Sequence, residues 1–299
     1  MKLPKLSLGG AQLGGQYGSL SLADATRLIR TAIDRGVNLI DTSPYYGVTQ
    51  SETVIGQALA GLNRDRFLLA TKCGRYDLAD FDFSPARITR SIDESLARLG
   101  LDYVDILQLH DIEFTALPRI LEESLPALEK IKQSGKARAI GVTGLPLKIF
   151  ETILPHYPLD TIISYAHYTL FDTTLTRILP LTQPRGIQVL NASPVALGML
   201  SPHGPQPWHP APAALKEFVA RVVAKWQAQG VSLAKLSLQH SLAQPAIAST
   251  ITGVASLAEL ENALSALAEP LDDELLAAVR ADFSPVLDAT WPQGLVENN

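Results

Sequence analysis

The sequence predicts a closed (β/α)8 barrel of the TIM type, and three observations predict it. Short, nearly all-apolar runs recur along the chain, longer amphipathic runs separate them, and eight such units fit its length. Strands covered by helices on the outside and packed on the inside are apolar on both faces, so they read as continuous apolar runs without alternation. The chain has 299 residues and is 46% hydrophobic, enough for a large core. Barrels of this class often run to about 250 residues or more as one domain, so one domain over 1–299 is expected.

The elements follow in order. LSLG at 6–9 is the first strand. SLADATRLIRTAIDRG is the first helix, with Ser21 or Asp24 near its start and Gly36 as its stop. VNLID at 37–41 and FLLAT at 67–71 are the next strands. SPARITRSIDESLARLG is a helix with Ser84 as N-cap, Pro85 at the first helical position and Gly100 at its end. VDILQL at 104–109 is the fourth strand, and a helix is expected over 117–134. ARAIGV at 137–142, DTIIS at 160–164, IQVLN at 187–191 and ASTIT at 248–252 complete the eight. Further helices fit 213–229, 256–268 and 271–282. No Gly-rich dinucleotide fingerprint follows the first strand, which argues against a doubly wound sheet. SPHGPQPWHPAP, residues 201–212, reads either as a lid over the mouth or as a stiff surface connection.

Net charge is −5 with no basic run, which argues against nucleic acid or a polybasic membrane contact. The one cysteine, Cys73, allows no intrachain disulfide and fits a reducing cytoplasm. MKLPKLSLGG lacks the apolar stretch of a secretion signal, and no run of about 18 apolar residues occurs. A cytoplasmic protein is expected, with monomer and dimer both open.

In parallel barrels the active site forms at the carboxyl ends of the strands. Asp41 ends the second strand, Lys72 the third and His110 the fourth, while Tyr46 lies in the loop after Asp41. Singly, each has an ordinary reading as a cap, a packing ring, a solvated amine or a core imidazole. At matching positions on consecutive strands they read as one catalytic site. A free phenol titrates near pKa ~10 and is a poor base at neutral pH. A nearby ammonium favours the phenolate, and a carboxylate fixes the ammonium. Lys72 is therefore expected to tune Tyr46, Asp41 to hold Lys72, and His110 to orient the substrate oxygen. No side chain carries a hydride, so such a site needs a nicotinamide.

The runs DTSPYYG with SETVIGQAL, then TK, then LH resemble the aldo-keto reductase family, whose Asp, Tyr, Lys and His tetrad maps onto Asp41, Tyr46, Lys72 and His110. Within the family, TKCGRY, FDFSPARITRSIDESLARLGLDYVDILQLHDIEF, GVTGLPLKIF, SYAHY, ASPVALGML, WHPA and TWPQG are similar to the L-galactose dehydrogenase branch, including bacterial L-fucose dehydrogenases. That resemblance implies oxidation of the C1 hydroxyl of an L-galacto-configured aldose to its lactone, with NAD as hydride acceptor and Tyr46 as general base.

It also implies a cofactor site. Ser193, Pro194, Gly198 and Leu200 after the seventh strand, with Gly253, Ser256, Glu259 and Asn262 at the start of the helix after the eighth, would hold the pyrophosphate and ribose. Glycines and a helix start suit a phosphate. Thr143 and Ser164 would hold the nicotinamide amide. No Lys or Arg occurs between Lys235 and Arg280, and Glu259 stands near a position where NADP-using relatives carry arginine. A carboxylate there repels a 2′-phosphate, so NAD is expected over NADP.

Two positions depart from the family pattern. MKLPK leaves little room for the hairpin that plugs many barrel floors. Ala192 replaces a Tyr that stacks on nicotinamide in many relatives, so a side chain from 164–168 is expected to cover that face.

For a sugar, polar and aromatic side chains are expected around the mouth: Gln12, Gln16, Tyr45, Asp111, Glu113, His167, Trp208, His209 and Trp291. Asp111 could instead cap the next helix and Glu113 could be solvated. The same tetrad would also suit an aldehyde or ketone reductase, a pyridoxal 4-dehydrogenase, or a channel-type subunit that senses cofactor.

Overall fold

The computed structural model describes residues 1–15 and 20–299, so Gln16 lies outside the described residues. Eight strands, β1 (Leu6–Gly9), β2 (Leu39–Asp41), β3 (Leu68–Cys73), β4 (Val104–Leu109), β5 (Ala137–Gly144), β6 (Thr161–Tyr165), β7 (Gln188–Ala192) and β8 (Ile247–Gly253), close a barrel in chain order. Every neighbouring pair is parallel, and β8 returns to β1 through Leu6↔Thr250 to Gly9↔Gly253.

The longer helices are α1 (Leu22–Asp34), α2 (Gln50–Leu59), α3 (Pro85–Leu99), α4 (Leu125–Gln133), α5 (Leu147–Ile153), α6 (Ala213–Gln227), α7 (Leu233–Ala243), α8 (Leu257–Ala268) and α9 (Asp273–Asp282). Ser21 caps α1 by accepting from the Asp24 N–H, and Ser84 caps α3 in the same way, with Gly100 left-handed at its end. The helix expected over 117–134 is broken: Ile120–Ser124 is a π segment between Leu117–Arg119 and α4. Pro126 has no N–H to give the carbonyl four residues back, which opens the ladder there. Three helices, α2, α5 and α7, were not anticipated. In α2 the signal was present, since Val54, Ile55, Ala58 and Leu59 form its buried stripe.

Inside the barrel, Leu39, Ala70, Ile106, Ala139, Ile163, Leu190 and Ile251 pack as one layer, one from each of β2 to β8. Leu3, from the irregular segment before β1, joins this cluster and fills the floor where a hairpin had been in question. Side chains two apart on a strand share a face. Two residues beyond the layer, the same inward face presents Asp41, Lys72, Gln108, Gly141, Tyr165, Ala192 and Gly253, and two residues further come His110 and Thr143. The positions of Asp41, Lys72 and His110 are thus a consequence of strand period and register, while Tyr46 comes from the turn after β2. Among the described residues no helix is long and apolar enough to cross a membrane.

Candidate active site

Lys72 is the hub of the floor of the mouth. Its Nζ donates to Asp41 Oδ2 at 2.7 Å, to the Thr42 carbonyl at 2.8 Å and to Tyr46 Oη at 3.2 Å. Both charges of the pair are buried, with side-chain exposures of 2% and 5%. A buried ammonium must be paired to stay charged there. Burial pushes the Asp41 carboxyl up, and Lys72 beside it pulls it back.

Tyr46 stands edge-on to His110, with ring centroids 5.6 Å apart and planes at 87°. Burial, then the Asp41 and Asp111 charges, hold its phenol well above the usual range. Desolvation and the two carboxylates outweigh the Arg75 charge that opposes them. Burial, followed by the Lys72 and Arg75 charges, holds His110 well below the ordinary imidazole range, so it is neutral at pH 7.

Ser43 sets which ring nitrogen carries the proton. Its Oγ accepts from the Tyr45 N–H at 3.1 Å and lies 2.8 Å from His110 Nδ1. With the hydroxyl donating to Nδ1, the ring proton is assigned to Nε2. A neutral donor and a phenol thus converge where a carbonyl or carbinol oxygen would sit, which suits proton transfer at that oxygen.

A second charged pair adjoins the first. Arg75 Nη1 donates to Asp111 Oδ2, and its guanidinium lies 3.9 Å from the Tyr45 ring centroid, with Phe81 and Phe114 also around it. Asp111 does not use its side chain to cap the turn that follows. Its N–H donates instead to Thr143 Oγ1 at 3.0 Å.

Glu113 is not solvated either; it is completely buried. Its Oε1 accepts from the Leu145 N–H, and Gln293 Nε2 and Tyr165 Oη are next to it. Burial and the neighbouring Asp111 push its carboxyl well up. The C-terminal tail is what covers it. Leu295 N–H and Asn298 Nδ2 both donate to the Glu113 carbonyl, and Gln293 donates to Tyr165 Oη at 2.7 Å. Gly294 is required there: it is left-handed, and a Cβ would fall 2.3 Å from the Glu113 carbonyl oxygen.

The remaining predicted residues divide. Tyr45 lies at the mouth between His110 and Arg75. Gln12 lies over the end of β8, and its amide occupies the space a Cβ at Gly253 would need. His167 is held by Asp172 and Thr174 within its own loop, a packing role. Trp291 is buried edge-on against His209, with centroids 5.0 Å apart, and belongs to the helix-side core. His209 is an anchor: it bonds the Ala196 carbonyl and the Ala211 N–H, which ties 201–212 to the loop after β7. Trp208 is exposed on that segment.

On the cofactor side, Thr143 faces the mouth. Ser164 is turned to the helix side by strand alternation, with its buried Oγ lacking a partner among the described residues. Tyr165, which lies in the 164–168 stretch expected to supply a side chain opposite Ala192, is the β6 side chain that faces inward, in register with Ala192. The turn after β7 is left-handed at Ser193, Ala196, Leu197 and Gly198. Pro194 accepts from Ser237, and Leu200 is core. At the start of α8, Ser256 accepts from the Glu259 N–H while Glu259 Oε2 accepts from the Ala255 N–H at 2.7 Å, a reciprocal cap. Asn262 is exposed one turn on. A tight turn, a helix start and Thr143 in line with the tetrad form a run of donors that fits an extended dinucleotide.

The aldo/keto reductase family model matches residues 5–281. L-galactose dehydrogenase of Arabidopsis thaliana is 44% identical over 100% of this chain and 96% of its own length. D-arabinose 1-dehydrogenase of Saccharomyces cerevisiae is 33% identical over 87% of this chain and 81% of its own. Among solved structures, the holo form of aldo-keto reductase AKR11C1 from Bacillus halodurans superposes with a TM-score of 0.77 at 25% identity, covering 98% of this chain and 97% of that one.

Proposed function

This chain belongs to the aldo/keto reductase family of oxidoreductases, and on that footing we propose that it is an NAD-dependent aldose 1-dehydrogenase. Its substrate is an L-galacto-configured pyranose, L-galactose or L-fucose, oxidised at C1 to the lactone. The observation that carries this is the convergence of Tyr46 Oη, 3.2 Å from Lys72 Nζ, with the neutral His110 ring beside it. Full-length similarity to L-galactose dehydrogenase supports the choice of sugar.

Bound nicotinamide supplies a hydride acceptor. The chain's own part is proton handling and positioning. His110 Nε2–H holds the C1 oxygen, and Tyr46 takes its proton as general base. Because the phenol titrates high, only its ionised fraction works, and oxidation speeds up as pH rises. In the opposite direction the neutral phenol is the proton donor. Lys72, pinned by Asp41, keeps Tyr46 Oη in place.

Thr143 and Tyr165 would hold the nicotinamide ring, and the Ser193–Leu200 turn and the α8 start would hold the phosphates. Glu259 favours NAD over NADP: it occupies the Ala255 N–H, a donor a 2′-phosphate would use, and adds negative charge there. The chain works as one barrel domain over 1–299, and its lone, buried Cys73 suits the cytoplasm.

The test is a steady-state screen of L-galactose, L-fucose, D-arabinose and pyridoxal with NAD⁺ and NADP⁺, followed as reduced cofactor. The expected result is the highest kcat/KM with an L-galacto sugar and NAD⁺. Higher kcat/KM with pyridoxal or D-arabinose overturns the substrate, and equal or better use of NADP⁺ overturns the cofactor.

A further inference from the structure

The Arg75–Asp111 pair is costly to build. Asp111 is left-handed, at φ 54° and ψ 62°, a conformation that disfavours side chains other than Asn and Asp. Its carboxylate and the guanidinium are 5% and 11% exposed. Arg75 is fixed by stacking on Tyr45, and the Asp111 backbone is fixed by Thr143. A buried, desolvated ion pair of this kind persists where the surroundings hold both partners, as Tyr45 and Thr143 do here.

The carboxylate also has a direction. Asp111 Oδ2 lies 3.8 Å from His110 Nε2. That is too long for a hydrogen bond between them. It is a span that two neighbouring hydroxyl oxygens close, each with a bond of about 2.8 Å to its own partner. His110 is 5% exposed and Asp111 3%, so the two are buried groups lying side by side.

We propose that Asp111, held in place by Arg75, accepts a hydrogen bond from the hydroxyl at C2, the carbon next to the one oxidised, and so selects 2-hydroxy aldoses. This deepens the aldose dehydrogenase reading and rests on it. With the C1 oxygen on His110 and Tyr46, two substrate oxygens are nearest to Asp111. The ring oxygen has no hydrogen to give a carboxylate. The C2 hydroxyl has one, and a carboxylate is an acceptor only. A site built to bond a substrate hydroxyl rejects the analogue that lacks it, because its own buried group is left unpaired.

The experiment compares L-galactose and L-fucose with their 2-deoxy counterparts in the wild type and in two variants. The wild type is expected to prefer the 2-hydroxy sugar by about 10- to 100-fold in kcat/KM, as for a hydrogen bond to a charged group. Asp111→Asn keeps the shape and should narrow that ratio. The double variant Arg75→Met with Asp111→Gly removes both charges together, and glycine accepts the left-handed backbone at that position. In it the ratio should approach one, with most of the loss falling on the 2-hydroxy sugar. NAD⁺ binding by fluorescence titration reports that each variant is folded. If both sugars fall together and the ratio persists, or the wild type does not discriminate, the C2 contact is refuted and the dehydrogenase reading stands. If the wild type oxidises no aldose, both fall.

Discussion

On the β2–β4 side of the mouth the functional side chains are largely buried and already bonded: Asp41 to Lys72, Lys72 to Tyr46, Ser43 to His110, Arg75 to Asp111. On the β7–β8 side the side chains are spent on the fold itself. Ser256 and Glu259 cap α8, Leu200 is core, and left-handed turns at Ser193 and Gly198 shape the backbone. The difference follows from the two tasks. Proton transfer needs one group at one place with a set titration, and only a pre-bonded, desolvated side chain provides that. Holding an extended anion needs several N–H donors along a curve, which a turn and a helix start provide whatever the side chains. Changes on the first side should therefore strike turnover, and changes on the second should strike cofactor binding.

The largest effect is expected from Tyr46→Phe. It should lower kcat by about 10²–10⁴-fold while leaving the cofactor dissociation constant unchanged. Wild-type turnover in this variant would break the contrast outright. Lys72→Met comes next, because it strands Asp41 buried and unpaired. Denaturant melts should lose about 3–5 kcal/mol, and adding Asp41→Asn should restore much of it.

The pH profile sharpens the same side. With the Tyr46 phenol held high and acting as base, sugar oxidation should climb steadily from pH 7 to pH ~10, and carbonyl reduction should not. A flat oxidation profile excludes the phenolate as the base. Ser43→Ala should cost about tenfold in kcat, the worth of one hydrogen bond, through loss of the His110 tautomer. Ring ¹⁵N shifts should move from the single Nε2–H form to a mixture, and an unchanged spectrum would remove Ser43 from that role. The smallest effect belongs to the other side. Ser256→Ala should cost about 1 kcal/mol of stability and raise KM for cofactor without changing kcat. A fall in kcat there would show that the two sides are not separable.

The barrel was legible because its strands are apolar on both faces and its caps are local. Ser84, Pro85 and Gly100 mark α3 by chemistry within one stretch of chain. The tetrad was legible for a related reason: strand ends can be read from the apolar runs, and the topology brings consecutive ends together. Arg75 could have been noticed as a charge three residues beyond Lys72, and Ser43 as a hydroxyl two beyond Asp41. Glu113 could not. Its burial depends on Gln293, Gly294 and Asn298, about 180 residues away in the chain. The same holds for Trp291 and His209, which were expected at the substrate and are instead packed on each other.

By itself, then, the sequence determined the eight-strand barrel and the placing of Asp41, Tyr46, Lys72 and His110 at its mouth, because hydrophobic period, caps and strand ends are local properties. Only the tertiary structure decided what each polar loop residue does: that Asp111 faces His110 with Arg75 behind it, that Glu113 is sealed under the tail, that Glu259 closes a helix start. Those roles turn on desolvation and on partners distant in the chain, and neither is written in the spacing of residues.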